Sequence, residues 1–335
     1  MNVLNTRLLD DVQQAAAILK RGGIVAFATE TVFGLGADAT NEVALQRLFA
    51  AKGRPSDNPL IVHIAEVGNW HSVASSMPVV AEQLLNRFAP GPLTVVLPKH
   101  PSISLAVTAG LETVGLRIPN HEQARQLLAL AGVPIAAPSA NRSGLPSGTT
   151  WQTVLEDLDG RVDAVLRGNT CDIGIESTVV DCTHDKPRLL RPGAISFADL
   201  QAVAPEIIDY SPNITQDPTV NSPGLRHPHY RPHASVQIVA SASEADQLMK
   251  FGRKSVSDLE RHLANCAYCG LEESKLASYL GSHRHFKDLA EYAQSFYEFM
   301  RSVDRLGIEH LYCQRPPKDG LGAALADRLT RAAAK

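Results

Sequence analysis

Residues 41–64, NEVALQRLFAAKGRPSDNPLIVHI, place a helical pattern, a basic loop and a strand pattern in direct succession. Asn41 can cap a helix, because its side chain accepts hydrogen bonds from the first free N–H groups, and apolar residues recur at helical spacing up to Phe49. The apolar run at 60–64 is typical of a buried strand. A helix followed closely by a buried strand predicts an α/β fold.

The loop at 52–59 lies between that helix and that strand. It contains two cations, Lys52 and Arg54, together with a glycine, two prolines and the carboxamide of Asn58. Arg presents a planar fork of donors and Lys a point charge, and both groups bind phosphate. The loop is therefore a candidate phosphate site, although a solvated basic turn would have the same composition.

Apolar runs elsewhere predict more strands, and helical periodicity predicts helices among them. Several strands follow one another without an intervening helix over residues 164–190, which indicates a mixed sheet. The predicted strands are 24–28, 60–64, 93–97, 114–118, 134–137, 164–166, 178–181 and 188–190, and the predicted helices are 8–21, 41–51, 79–88, 121–131, 150–158 and 196–203.

The composition is that of an ordinary globular protein: 335 residues, of which 44% are hydrophobic and 20% are charged, enough for two domains. A formal net charge of -3 provides no global positive field for nucleic acid, so a polyanion site must be local. Five cysteines favour a reducing compartment over a disulfide framework. We see no signal peptide and no apolar run of the roughly 20 residues that span a bilayer, and we expect a cytoplasmic protein without a membrane anchor.

Residues 211–234 separate two predicted domains, 1–210 and 235–335. Five prolines in this segment favour an extended linker over a regular helix. The linker also contains Tyr230 and Arg231, which a passive tether does not need. The second domain is predicted to be a small α/β domain, with strands at 236–240 and 310–313 and helices at 243–251, 286–304 and from 320 onward.

Two more loops follow predicted strands and carry residue types that bind ligands. Residues 29–36 (TETVFGLG) combine two hydroxyls, a carboxylate and two glycines, and residues 139–144 (SANRSG) combine hydroxyls, an amide, an Arg and a Gly. Ligands of α/β proteins bind at the carboxyl ends of strands, and exposed N–H groups in such loops can cradle phosphate or ribose. A turn with glycines placed for backbone geometry is the alternative for 29–36.

Four polar residues within or beside predicted strands are further candidates: His63, Arg117, Ser177 and Arg191. A single His in an apolar strand is commonly a core residue, so His63 also has a purely structural interpretation. A P-loop, a complete dinucleotide fingerprint and a Gly-x-Ser-x-Gly elbow are absent from the sequence.

Cys266 and Cys269 have the spacing of a pair of zinc ligands, with histidines nearby. They form a single cysteine pair, and the segment around them is predicted to be helical. We therefore predict no metal site.

Five of these motifs, in this order along the chain, resemble the YrdC-like domain: 29–36, 52–60, 138–144, 177–181 and 190–193. Residues 222–232 resemble the linker of the longer, two-domain form of that family, and 320–329 resemble its C-terminal helix. The chain is thus identified as a member of the two-domain threonylcarbamoyl-AMP synthases. The resemblance implies a YrdC-like domain with a twisted mixed sheet flanked by helices, and a small Rossmann-like α/β C-terminal domain. Residues 252–285 match this pattern poorly.

The resemblance implies a reaction that joins L-threonine, bicarbonate or CO2, and ATP, releases pyrophosphate, and serves a tRNA modification. The threonine amine can add to CO2, and the resulting carbamate oxygen can attack the α-phosphate, so no protein nucleophile is needed. Positioning and fixed cations should provide most of the catalysis. Mg2+ is expected to arrive with ATP, held by phosphates and water without dedicated protein ligands.

The resemblance also implies roles for individual residues. Lys52 and Arg54 are expected to be catalytic, with Arg117 on the threonine carboxylate and Tyr230 as a lid over the nucleotide. The expected threonine site is Thr31, His63, Arg117, Ala137 and Ser177, and the expected ATP site is Arg54, Asn58, Thr113, Ser139, Ser147, Arg191 and Tyr230.

Two other functions share these features. One is a double-stranded RNA or tRNA binding module without nucleotide turnover, which the net charge and the low aromatic content of 5% disfavour. The other is a carbamoyl-transfer enzyme related to hydrogenase maturation factors, whose additional segments are missing here. For the synthase we expect weak or no direct tRNA binding and a downstream tRNA threonylcarbamoyl-transfer protein as a partner. The second domain is either a lid or a docking surface for that enzyme.

Overall fold

A computed structural model of the protein describes residues 5–210, 230–253 and 255–334. These residues form two compact units. The first contains the described residues before Gly144 and those from Ser147 to Tyr210, and the second contains Gly144–Pro146 and the residues from Tyr230 onward. The predicted linker at 211–234 lies outside the described residues except for its last five positions.

The first unit contains a mixed sheet of eleven strands in the described residues. Their order is β1-β8-β2-β3-β7-β4-β6-β5-β9-β10-β11. Parallel pairs such as β4 with β6 alternate with antiparallel pairs such as β5 with β6, which confirms the predicted mixed sheet. The strands are β1 (Arg7–Leu9), β2 (Val25–Phe27), β3 (Gly34–Asp38), β4 (Ile61–His63), β5 (Leu93–Pro98), β6 (Thr113–Arg117), β7 (Ile135–Ala136), β8 (Ala164–Leu166), β9 (Thr178–Asp181), β10 (Arg188–Arg191) and β11 (Ile208–Asp209).

Helices flank this sheet, and most begin at side-chain caps. The side chain of Asn41 accepts a hydrogen bond from the N–H of Ala44, and the helix ends at Gly53, whose φ of 62° suits glycine. The helices are α1 (Val12–Lys20), α2 (Glu42–Lys52), α3 (Val79–Phe88), α4 (Leu105–Thr108), α5 (Glu122–Ala131), α6 (Trp151–Leu158) and α7 (Phe197–Val203), with a 3-10 turn at Val67–Ser72.

The central strands of this sheet have two different faces. Val62, Val95, Leu116 and Val180 point to one face and join the main hydrophobic core with helices α2 and α3. Because side chains alternate along a strand, the positions beside these valines and leucines point to the opposite face. That opposite face is where the polar residues of β4, β5 and β6 lie.

The second unit contains a four-stranded sheet, ordered β12-β15-β13-β14, in which every strand pair is parallel. Helices connect the parallel strands, which confirms the predicted small Rossmann-like α/β domain. The elements are β12 (Ser235–Val239), α8 (Ala242–Lys250), α9 (Val256–Ala264), β13 (Cys266–Gly270), β14 (Ser282–His285), α10 (Leu289–Arg305), β15 (His310–Gln314) and α11 (Gly320–Ala333), with a 3-10 turn at Ala277–Tyr279.

The structure corrects the prediction of a helix around Cys266 and Cys269. These residues lie in strand β13, which is buried along its whole length. A strand covered on both faces has no polar alternation, so its sequence cannot be distinguished from a buried helix by periodicity. Residues three apart in a strand also point to opposite faces, so Cys266 and Cys269 cannot share a metal ion.

Other elements also differ from the sequence prediction. The predicted helix at 8–21 is a short strand, β1, followed by α1, because Asp11 caps a helix that starts only at Val12. Residues 34–36, predicted to be loop, form the beginning of β3. Helix α9 and strand β14 lie in the region 252–285, where a helix around Cys266 and Cys269 was the one predicted element.

In the part of the chain that the structure describes, none of the helices combines the length and the apolarity that a bilayer crossing requires.

Candidate active site

Five polar side chains form a continuous line across five adjacent strands of the first unit, and we call them the polar row. His63 at the end of β4 is paired with Arg117 at the end of β6, and Arg117 is paired with Thr94 of β5. The Thr94 and Ser177 hydroxyl oxygens are 2.8 Å apart. Arg191 of β10 donates to the Ser177 hydroxyl (3.2 Å) and to its carbonyl (3.1 Å).

Arg117 lies in the polar row with donors that remain unused. Its Nη2 is 2.9 Å from Oε2 of Glu30, and both side chains are only 5% exposed. The two groups approach at ion-pair distance without hydrogen-bond alignment, so Nε and Nη2 of Arg117 and both carboxylate oxygens of Glu30 lack hydrogen-bond partners. Buried donors without partners are rare and costly in native proteins, and a guanidinium fork fits a carboxylate. Arg117 is therefore a candidate binding residue for a carboxylate or another anion.

The Glu30 ion pair connects the polar row to the loop at 29–36. In that loop the hydroxyls of Thr29 and Thr31 are 2.9 Å apart, and the Thr29 hydroxyl donates to the carbonyl of Val32. Thr31 is fully buried. These contacts hold the Thr31 hydroxyl in place, and Thr31 is the residue that directly follows Glu30 in the chain.

His63 is neutral in the folded protein. Burial, and next the positive charge of Arg117, lower its pKa from 6.5 to about 3. Its Nδ1 is 3.3 Å from the carbonyl of Ile61. A neutral imidazole held this way can exchange hydrogen bonds with a ligand without adding charge.

Ala137 directly follows β7, which is paired with β4. Ile135 is paired with His63, and the N–H of Ala137 donates to the Ile61 carbonyl, so Ala137 lies opposite Ile61.

Lys52 organises the loop at 139–144. Its ammonium donates to the carbonyls of Ser139 (2.6 Å) and Asn141 (2.5 Å), and its side chain is buried. The Ser139 hydroxyl in turn donates to the Asn141 side chain. Two of the three predicted ligand loops are therefore joined through one buried cation.

Arg54 and Asn58 lie at the opposite end of the strands from His63. Arg54 donates to the carbonyls of Asn58 and Pro59, just before β4 begins. Thr113 begins the parallel strand β6, four residues before Arg117, which is about 13 Å at the rise of an extended strand. Arg54, Asn58 and Thr113 therefore lie near the starts of β4 and β6, whereas His63 and Arg117 are the last residues of these two strands.

Ser147 belongs to the same network as the polar row. Its hydroxyl donates to the carboxylate of Glu176, a buried contact of 2.6 Å, and Glu176 directly precedes Ser177.

Tyr230 belongs to the second unit, where it is buried with a φ of 64°.

The structure adds three residues that the predicted site lacked: Glu30, Thr94 and Glu176. Glu30 and Glu176 could have been found, since each is a carboxylate next to a predicted threonine-site residue in sequence. Thr94 gives no local signal, because its place in the row depends on the pairing of β5 with β6.

No group of His, Cys, Asp and Glu side chains in the described ranges is arranged to hold a metal ion. Cys171, close to the 29–36 loop, is also unsuited to covalent chemistry, because burial raises the pKa of its thiol to about 12.

Two family models together match nearly the whole chain. Residues 17–193 match the Sua5, YciO and YrdC family, described as "Telomere recombination". Residues 195–334 match "Threonylcarbamoyl-AMP synthase, C-terminal domain".

Relatives named threonylcarbamoyl-AMP synthase match over the same length. One from Bacillus subtilis is 40% identical, covering 96% of this chain and 92% of the relative. One from Pyrococcus abyssi is 39% identical, covering 96% and 93%. The crystal structure of P. abyssi Sua5 complexed with L-threonine has a TM-score of 0.87 and 35% identity, and the match covers 98% of this chain and 97% of that one.

Proposed function

The chain belongs to the threonylcarbamoyl-AMP synthase family, and we propose how its own residues perform that synthesis. The enzyme joins L-threonine, bicarbonate or CO2, and ATP, and releases threonylcarbamoyl-AMP and pyrophosphate. Two relatives named as synthases are 40% and 39% identical over 96% of this chain, and a threonine-bound relative has a similar structure. These similarities support the function. The observation from this chain that most supports it is the Arg117 guanidinium, buried with unused donors in the polar row.

Arg117 binds the carboxylate of threonine in this proposal. A carboxylate can accept hydrogen bonds from the two Arg117 donors that Glu30 leaves unsatisfied. Neutral His63, Thr31 and Ser177 then bind the polar groups of the amino acid, and Ala137 leaves space for its side chain.

Cations act on the other substrate. Lys52, Arg54 and Arg191 stabilise the negative charge that develops as the α-phosphate is attacked, and Asn58, Thr113, Ser139, Ser147 and Tyr230 bind the rest of ATP. Donors fixed by the fold need no reorganisation during the reaction, which is why they stabilise a transition state better than water does. Lys52 is fixed by two carbonyls and Arg191 by Ser177.

The chemistry needs no protein nucleophile. The nitrogen of threonine forms a bond to the carbon of CO2 and loses a proton to solvent, which gives a carbamate. A carbamate oxygen then bonds to the α-phosphorus, and pyrophosphate leaves with the electrons of the broken P–O bond. The protein contributes alignment and charge, and the neutral Cys171 thiol is consistent with this route.

Mg2+ fits this site only as a companion of ATP. Of the buried carboxylates near the row, Glu30 lies at ion-pair distance from Arg117, and Glu176 accepts a hydrogen bond from Ser147. We therefore propose that phosphate oxygens and water hold the ion, where it neutralises phosphate charge.

The product is an activated carbamate that a transfer enzyme must pass to tRNA. We propose that such an enzyme, rather than tRNA itself, binds this protein, because the net charge is -3. Tight tRNA binding that weakens with salt would contradict this part.

The test of the function is pyrophosphate release from ATP by the purified chain. We expect release only when L-threonine and bicarbonate are both present. Pyrophosphate release that does not depend on both L-threonine and bicarbonate would contradict the synthase function. Salt-sensitive RNA binding without any pyrophosphate release would favour the RNA-binding alternative.

A further inference from the structure

One face of helix α10 presents two large polar side chains to segments that neighbour predicted ATP contacts. Tyr297 and Arg301 are four residues apart and therefore lie one above the other on the helix. Both are buried. Each contacts a different piece of chain within the second unit.

Arg301 binds the segment Gly144–Pro146. Its Nε donates to the carbonyl of Pro146 at 3.1 Å, and its Nη2 donates to the same oxygen. The N–H of Arg231 donates to the carbonyl of Gly144, so both ends of this three-residue segment are held. Pro146 directly precedes Ser147, and Gly144 ends the loop that Lys52 organises.

Tyr297 binds Tyr230. The two rings stack with centroids 5.3 Å apart and an angle of 28° between their planes. The guanidinium of Arg328, which is fully buried, lies 6.0 Å from the Tyr230 ring centroid. Tyr230 has a φ of 64°, a conformation that a bulky residue adopts only when its surroundings impose it. The stack with Tyr297 is one such constraint.

We propose that Tyr297 and Arg301 are positioning residues for ATP, acting through Tyr230 and through the Gly144–Pro146 segment. This role rests on the proposed function, because Tyr230 and Ser147 are its nucleotide contacts. It assigns the second domain a task in the reaction itself. Within the second unit, one helix thus contacts both the ring of Tyr230 and the segment that directly precedes Ser147 in the chain.

The experiment compares the kinetics of Arg301→Ala, Arg301→Lys and Tyr297→Leu with wild type. We expect Arg301→Ala to raise the KM for ATP about tenfold or more, the equivalent of a lost charge-assisted hydrogen bond, with the KM for L-threonine unchanged. Arg301→Lys should recover part of the loss, since it keeps a charged donor. Tyr297→Leu, which removes the ring stacked on Tyr230, should also raise the KM for ATP. Arg305→Ala is the matched control, because Arg305 lies on the same helix in a partly exposed pair with Glu298.

A merely structural role would lower the melting temperature and the active fraction without changing either KM. That outcome, or an equal rise in both KM values, would overturn the proposal. If Arg301→Ala does not fold, Arg301→Lys and Tyr297→Leu test the proposal instead: it requires a raised KM for ATP with an unchanged KM for L-threonine. Absence of product from wild type would contradict the function as well, whereas an active wild type with unaltered variant KM values would contradict the positioning role alone.

Discussion

Both sheets of this protein bury polar side chains at strand ends, but only the first leaves them unsatisfied. In the second unit, Gln314 accepts hydrogen bonds from the N–H groups of Leu271 and Glu272, and the Glu272 carboxylate accepts from the N–H of Ala242 at the start of α8. In the first unit, Arg117 of the polar row and its ion-pair partner Glu30 keep unused donors and acceptors. All buried side-chain atoms without hydrogen-bond partners, among the described residues, belong to the first unit.

This difference distinguishes strand ends that are candidates for binding a ligand, in the first unit, from strand ends whose polar groups only stabilise the fold, in the second. Rossmann-like sheets bind nucleotides where strands end and helices begin, with phosphate at a helix N-terminus. In the second unit, the Glu272 carboxylate already occupies that position. The sheet of the second unit therefore closes on its own side chains at these strand ends, and we expect no substrate to bind there.

The largest effect is expected from Arg117→Met. The variant removes the carboxylate site and leaves Glu30 buried without its cation, so kcat/KM for L-threonine should fall about 1000-fold and stability should fall too. Adding Glu30→Gln should restore stability and leave turnover low, which separates the two roles. Steady-state kinetics and chemical denaturation measure both.

Arg125→Met on α5 is the matched control, since Arg125 lies outside the row. Near-normal threonine kinetics in Arg117→Met would show that the unsatisfied guanidinium does not bind the substrate, and would contradict the proposed difference between the two sheets.

Turnover should fall about a hundredfold in Arg54→Ala, the typical loss for one fixed donor to transition-state charge. The fold should tolerate this change better than the loss of buried Lys52, because Arg54 is only partly buried. Lys52→Ala should lose turnover and stability together, because buried Lys52 also holds Ser139 and Asn141. Arg87→Ala on the exposed side of α3 is the control, and equal rates in Arg54→Ala and Arg87→Ala would count against the cationic site.

Acid should destabilise the first unit through His63. Its pKa is about 3 when folded and ordinarily 6.5, so between these values the unfolded chain binds a proton that the folded chain does not. Stability from this group is therefore complete above about pH 6.5 and decreases as the pH falls toward 3. Relative to His63→Gln, wild type should lose about 1.4 kcal/mol of unfolding free energy per pH unit across that interval. Urea denaturation measures this free energy. If wild type and His63→Gln lost it equally as the pH fell, His63 would not be buried in neutral form.

The smallest effect on catalysis is expected from Gln314→Leu in the second unit. The N–H groups of Leu271 and Glu272 would lose their acceptor, at a cost of about 1–3 kcal/mol each in unfolding free energy. Turnover per folded molecule should stay unchanged, because these strand ends hold no substrate. Gln247→Leu, on the exposed side of α8, controls for the substitution itself. A raised KM for either substrate in Gln314→Leu would mean that the second sheet is also a site.

The sequence predicted much of this arrangement, for local reasons. Lys52, Ser139 and Thr31 lie in motifs with distinctive short-range composition, and the structure brings the first two into contact. The mixed sheet followed from strands that succeed one another without helices. What the sequence could not predict depends on long-range pairing: Thr94 enters the row through the register of β5 and β6. Strand β13 was missed because burial of both faces removes the alternation that marks a strand.

The polar row and the neighbouring cations are proposed to bind threonine and ATP for one condensation. Mass spectrometry of the nucleotide formed from ATP, L-threonine and isotopically labelled bicarbonate tests it most directly. We predict a threonylcarbamoyl-adenylate that carries the bicarbonate label in wild type and is absent in Arg117→Met. An adenylate without the label, or the same yield from both proteins, would contradict the account.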